Sequence, residues 1–259
     1  MDIVRSIVMA FCMFSSIPMP KVKADEHSSR FMMAAFPLVG VVCGAVCIAW
    51  WAFCIWAHIG VFLHAAGLVL IPLIIAGGIH LDGFADVVDA ISSWGTPERR
   101  REILKDSHIG AFAAMGICVY LLLSFALCTE LVQTASLYTA FLLGLTFVLS
   151  RVLSGLTGML FPKSSTEGML AHETATPSAK AVIATLVLFA IAVFAAMALL
   201  NWKACIACAI AAAVAVALLW RTAMTKFGGM SGDLSGFFLQ TAELLMLVAL
   251  VVVAKAVGL

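Results

Sequence analysis

Three aspartates, Asp82, Asp86 and Asp89, fall within eight positions of a 259-residue chain that has only fourteen acidic residues. Their spacing is i, i+4 and i+7. At ~100° per residue it predicts a helix that carries all three carboxylates inside a ~60° arc. Like charges so placed repel, and the simplest relief is a divalent cation between them. Mg²⁺ suits such a site, because it takes one or two carboxylates plus the oxygens of a substrate phosphate. On a soluble protein an acidic stripe is usually a solvated face. Here it follows directly on a long apolar segment and Gly77-Gly78. At the mouth of a membrane span ionisable groups are rare, and function is their default reading.

Two further stretches carry chemistry. A basic run, Glu98-Arg99-Arg100-Arg101-Glu102, leads into Lys105-Asp106-Ser107-His108-Ile109-Gly110. Guanidinium groups recognise phosphate bidentately, so metal on one side and Arg99 or Arg100 on the other would suit a diphosphate. The same arginines would also fix topology and bind anionic lipid headgroups. Asp106-Ser107-His108 would either position a substrate hydroxyl or cap the next span. Near the C-terminus, Gly228-Gly229-Met230-Ser231-Gly232-Asp233-Leu234-Ser235-Gly236 sets four glycines around one aspartate. Such a turn permits close ligand approach, and backbone N–H groups at a span's N-terminus cradle phosphate. Asp233 would complete the site or cap the span beside Ser231 and Ser235. Two ionisable residues fall inside apolar runs. Arg151 would snorkel to the interface or reach inward to an acid, and Glu243 needs a partner.

The elements that position these groups are apolar. The chain is 64% hydrophobic and 11% charged, which predicts an all-α, polytopic membrane protein: one transmembrane helical domain over 1–259 with no separate soluble domain. Spans are expected at 31–57, 59–79, 109–129, 134–161, 179–201, 203–223 and 236–257, after an interfacial helix within residues 1–20. With the N-terminus in the cytoplasm, thirteen of the fifteen Lys and Arg fall on or near the cytoplasmic side, all but Lys203 and Lys255. That is the positive-inside distribution. It brings the loops 80–108, 162–178 and 224–235 to one cytoplasmic face. Glu167, His172 and Glu173 in the second of these read as a surface loop. A net charge of +1 gives no footprint for nucleic acid. The eight cysteines lie mostly within apolar runs and read as small membrane-core residues. Lipid is the obligatory partner, and assembly as a homo-oligomer is compatible with such a chain.

His80-Leu81-Asp82-Gly83 with Asp86 and Asp89, Lys105-Asp106-Ser107 with Ile109-Gly110, and Gly228-Gly229 with Ser231-Gly232-Asp233, Gly236 and Glu243 occur in this order. Together they resemble the motifs of the cobalamin synthase family, also called adenosylcobinamide-GDP ribazoletransferases. Phe14-Ser15-Ser16-Ile17-Pro18 resembles the family's opening. The sequence departs from the pattern at Val87, Val88, Ala90, Ala113 and Gln240. The resemblance implies a Mg²⁺-dependent enzyme of the bacterial inner membrane. It would join adenosylcobinamide-GDP to α-ribazole or its 5′-phosphate and release GMP, forming adenosylcobalamin or its phosphate. On that reading Asp82 and Asp86 hold Mg²⁺. Asp89 is a third ligand or the general base, and His80 and Asp233 belong to the catalytic set. Arg99, Arg100, Lys105, Asp106, Ser107, Arg151, Gly232 and Glu243 would bind substrate.

Two rival readings remain. A phosphotransferase acting on a CDP-alcohol also gathers aspartates at a span end, but its pattern wants Asp-Gly followed by Ala-Arg. Here Asp82-Gly83 is followed by Ala85-Asp86. An ion-coupled transporter would use Asp82 and Glu243 as ion ligands and should show paired, broken halves, which the sequence lacks.

Overall fold

The computed structural model describes residues 2–20, 29, 31–106, 108–134, 136–164 and 178–257. Among these it shows ten α-helices and no strand, with one isolated bridge between Lys163 and Met230. In order they are α1 (Asp2–Phe14), α2 (Met32–Trp56), α3 (Val61–Ala76), α4 (Ile79–Ser92), α5 (Pro97–Ile103), α6 (Ala111–Thr134), α7 (Leu137–Leu160), α8 (Ala179–Leu200), α9 (Trp202–Thr222) and α10 (Gly232–Val257). The protein is a polytopic helical membrane protein. Six helices, α2 and α6 to α10, are long and apolar enough to cross a membrane, and α3 with α4 forms a seventh candidate bent by 94°.

The bundle is built around α7, which is buried on most of its faces. Its approach to α2 is set by glycines. A β-carbon at Gly44 would lie 2.8 Å from the Gly144 carbonyl oxygen, and one at Gly40 would lie 2.5 Å from that of Phe147. Small residues let membrane helices associate through backbone-to-backbone packing, where burial of apolar side chains gives no driving force.

The bend between α3 and α4 is what the sequence pattern does not reveal. Gly77 and Gly78 both take positive φ, +63° and +79°, which glycine adopts without strain. The end of α3 leaves carbonyls without helical partners. Ser16 supplies donors to two of them: its backbone N–H donates to the Ile75 carbonyl at 2.8 Å and its hydroxyl to that of Ile74 at 2.6 Å. Ser16 stands just past α1, because the expected 1–20 helix ends at Phe14 and the chain continues without regular structure to Pro20. The Phe14 ring packs 4.3 Å from Phe36 and 6.5 Å from His80, in the first turn of α4. The N-terminal segment thus clamps the bend from both sides. Ile3 and Val4 on α1 are exposed, an apolar face suited to a membrane surface.

An odd number of crossings puts the two ends of the chain on opposite sides. Reporter fusions at the N-terminus and at the C-terminus should therefore report opposite compartments. The same compartment for both would mean that α3 does not cross.

Candidate functional site

Asp82, Asp86 and Asp89 lie along α4 as their spacing requires, with Asp82 exposed and the other two half-buried. The opposite face of the helix is buried through His80, Gly83, Val87 and Ala90. Asp233, the fourth carboxylate, arrives from the far end of the chain on the first turn of α10. The two helices meet at glycines. A β-carbon at Gly83 would lie 2.9 Å from the Asp233 carbonyl oxygen, and one at Gly236 would lie 2.9 Å from that of His80. Phe84 and Phe237 stack across the crossing at 5.7 Å.

The capping of α10 falls to Ser231, whose hydroxyl accepts the Leu234 N–H at 3.3 Å. The Asp233 carboxylate itself accepts hydrogen bonds from its own backbone N–H and from Ser231, which hold it at the start of the helix. A side chain at Gly232 would meet nothing within 4 Å among the described residues, so the first turn of α10 has room beside Gly232. A helix N-terminus receives anions.

The electrostatics of the cluster follow from its geometry. Burial, then the charges of Asp82, Asp233 and Asp89, push the Asp86 carboxyl up to about 6. No base interrupts the stripe. Among the described residues no three His, Cys, Asp or Glu side chains converge closely enough to cage an ion. The donor set nevertheless suits a hard cation that keeps waters and takes its remaining oxygens from a phosphate.

Asp89 is placed by a neighbour. A β-carbon at Gly110, just ahead of α6, would lie 2.1 Å from an Asp89 carboxylate oxygen. Only glycine leaves room for that carboxylate at the α6 N-terminus, where the helix dipole favours negative charge.

The basic run divides three ways. Arg99 is exposed and pairs with Glu102 at 2.8 Å. Arg100 donates to the Ser93 carbonyl at 3.4 Å, and its buried Nε has no partner among the described residues. Arg101 pairs with Glu98 and donates to the Phe227 carbonyl at 2.7 Å, so it docks α5 against the π-helical turn Ala223–Phe227. Lys105 and Asp106 are exposed. Asp106 accepts from the His108 N–H at 3.0 Å and contacts its ring Nδ1 at 2.6 Å, which lowers its carboxyl below the usual range. Ser107 lies outside the described residues, as do Glu167, His172 and Glu173.

The remaining expected residues sit beneath the acidic face. Arg151 reaches inward, pairing with Glu243 at 1% and 8% exposure. The Ser150 hydroxyl also donates to Glu243, at 2.8 Å. His80 is buried against Phe36 at 5.6 Å, on the side of α4 away from Asp82. Its Nε2 has no partner among the described residues.

The match to known sequences covers this whole arrangement. The family model described as cobalamin-5-phosphate synthase matches residues 6–251. The chain belongs to the cobalamin-5-phosphate synthase family. It is 35% identical to an adenosylcobinamide-GDP ribazoletransferase of Lachnoclostridium phytofermentans, over 96% of this chain and 94% of the relative. The enzyme of the same name from Clostridium botulinum strain Alaska E43 is 30% identical over 94% and 95%. The one from Listeria monocytogenes is 31% identical over 95% and 97%. No solved structure matches the chain.

Sequence reasoning passed over three positioning residues: Ser16 at the bend, Gly110 beside Asp89, and Arg101 under the glycine turn. Ser16 and Gly110 stand inside stretches that resemble the family, but their partners lie far off in sequence or across a helix gap. In a turnover assay, Gly110→Ala should lower kcat ~10-fold or more by displacing the Asp89 carboxylate, roughly 1.4 kcal/mol. Ser16→Ala should cost turnover and Ser16→Thr should restore part of it, because the threonine hydroxyl can still donate to Ile74. Unchanged kcat in Gly110→Ala would separate Asp89 from the reaction.

Proposed function

We propose that the crossing of α4 and α10 is the catalytic centre of a transferase that joins adenosylcobinamide-GDP to α-ribazole or its 5′-phosphate, releasing GMP. The observation that carries this reading is the meeting of Asp233 with the Asp82–Asp86–Asp89 face beside a helix N-terminus, in a chain of this family. A diphosphate has a place for each of its demands there. Carboxylates can take a bridging cation, and the α10 N-terminus offers backbone donors to phosphate oxygens.

Asp82 and Asp86 are the residues that would hold Mg²⁺, with Asp89 as a third oxygen donor. When bound, the ion would offset the charge that builds on the diphosphate oxygens. The ribose hydroxyl of α-ribazole attacks the phosphorus attached to the cobinamide side chain, and GMP leaves in line. Asp233, held at the start of α10 beside Ser231, orients that hydroxyl and accepts its proton. Lys105 and Arg99, both exposed, meet the outer phosphate. Arg151 and Glu243 serve from beneath, by holding α7 to α10. The positive-inside distribution supports a cytoplasmic site in the bacterial inner membrane.

The direct assay uses membranes supplied with adenosylcobinamide-GDP, α-ribazole and Mg²⁺, with GMP as the readout. Asp82→Asn, Asp86→Asn and Asp233→Asn should each lower kcat at least ~100-fold, roughly 2.7 kcal/mol, while the chains still insert. Near-normal kcat in Asp233→Asn with a lowered melting temperature would return that residue to a capping role.

A second measurement addresses the cation. A carboxyl held at about 6 when folded binds a proton that the unfolded chain releases near the ordinary aspartate value of 3.8. Its contribution to stability is therefore greatest below both values and is lost as pH rises through about 6. A divalent ion replaces the proton. Mg²⁺ should raise the melting temperature at pH 8 and have little effect at pH 5, and Asp86→Asn should abolish the difference. Equal effects at both pH values would place the ion elsewhere.

A further inference from the structure

Between α7, α8 and α9 lies an apolar recess of about 550 Å³ that the transfer chemistry does not use. One wall is a single face of α9, formed by Ala209, Ala212, Ala213, Val216, Ala217 and Trp220. These stand at i, i+3, i+4, i+7, i+8 and i+11, so they share one stripe. Four of the six are alanine, and their short side chains give the recess its depth. Leu153, Phe161 and Phe194 form the opposite walls. At one end Phe161 and Trp220 meet edge to face at 4.8 Å.

Size decides what fits. From Ala209 to Trp220 the stripe runs ~16 Å at about 1.5 Å per residue. A recess of about 550 Å³ along that length has a mean cross-section of roughly 30 Å². A flexible hydrocarbon chain fits a groove of that width.

Charge decides what kind of chain. Arg221 follows Trp220 at the end of the recess nearest the glycine turn. It is exposed and has no ion-pair partner among the described residues. A guanidinium forks onto phosphate, and tryptophan favours the level of lipid headgroups. We propose that the recess binds one anionic glycerophospholipid, with an acyl chain along the alanine stripe and its phosphate on Arg221. The site lies at the same end of the bundle as the acidic face, and none of its residues belongs to the catalytic machinery.

The test uses purified protein stripped of lipid in detergent and then offered phosphatidylglycerol or phosphatidylcholine, with bound lipid counted by native mass spectrometry. The wild type should retain one phosphatidylglycerol per chain, with ~10-fold preference over phosphatidylcholine, the scale of a charge-assisted hydrogen bond. Arg221→Gln should keep a lipid but lose the preference. Ala213→Phe should fill the recess and retain none. Should Ala213→Phe fail to fold, the exposed Arg221→Gln variant decides alone. Equal retention of both lipids by the wild type, an undiminished preference in Arg221→Gln, or a dimer that Ala213→Phe dissolves would each overturn the proposal.

Discussion

Everything that the site requires depends on two backbones meeting without side chains between them. At Gly83 and Gly236, α4 and α10 approach so closely that a β-carbon on either would strike the other's backbone within 3.0 Å. That contact joins residues ~150 positions apart and brings Asp233 beside Asp82 and Asp86. Alanine at either position would force the helices apart, and the fourth carboxylate would leave the cluster. The contact is made where apolar burial gives little drive, so close packing has to supply the association.

The crossing holds in place charges that repel one another. α4 carries three carboxylates on one face with no base among them, and burial, then that repulsion, raises the proton affinity of Asp86. The rest of the fold opposes it from several directions. Ser16 and the Gly77-Gly78 turn fix the angle at which α4 leaves α3. Arg101 ties α5 to the turn before α10. Deeper in the bundle, the Arg151–Glu243 pair locks α7 to α10. A buried ion pair gives little net stability, yet removing one partner costs ~3–5 kcal/mol, because the other charge is left uncompensated. It therefore fixes helix registration more than it stabilises the fold.

The sequence carried the composition of this site better than its construction. The acidic stripe was legible because helical spacing alone places Asp82, Asp86 and Asp89 together. The lopsided lysines and arginines placed the Asp233 turn on the same face. Span positions followed from hydropathy to within a few residues, as with 31–57 against Met32–Trp56. What hydropathy cannot carry is direction. It read an apolar run up to residue 79 followed by acids, and gave no sign that the chain turns through 94° between them. Nor could it pair Arg151 with Glu243. It showed that each needs a partner, but the pairing depends on helix rotations that only packing sets. Ser16 was visible as part of a motif, but its role lies in α3 carbonyls, which no side-chain pattern displays.

The central claim is that α4 and α10 cross at their glycines in the working enzyme. A cysteine pair replacing the stacked Phe84 and Phe237 tests it most directly, in a chain whose exposed Cys12 and Cys118 are changed to serine. Under mild oxidation Phe84→Cys with Phe237→Cys should form an intramolecular disulfide in high yield, and the cross-linked enzyme should keep much of its GMP-releasing turnover. Failure to cross-link while turnover persists would contradict the account, because the two helices would then not need to meet there.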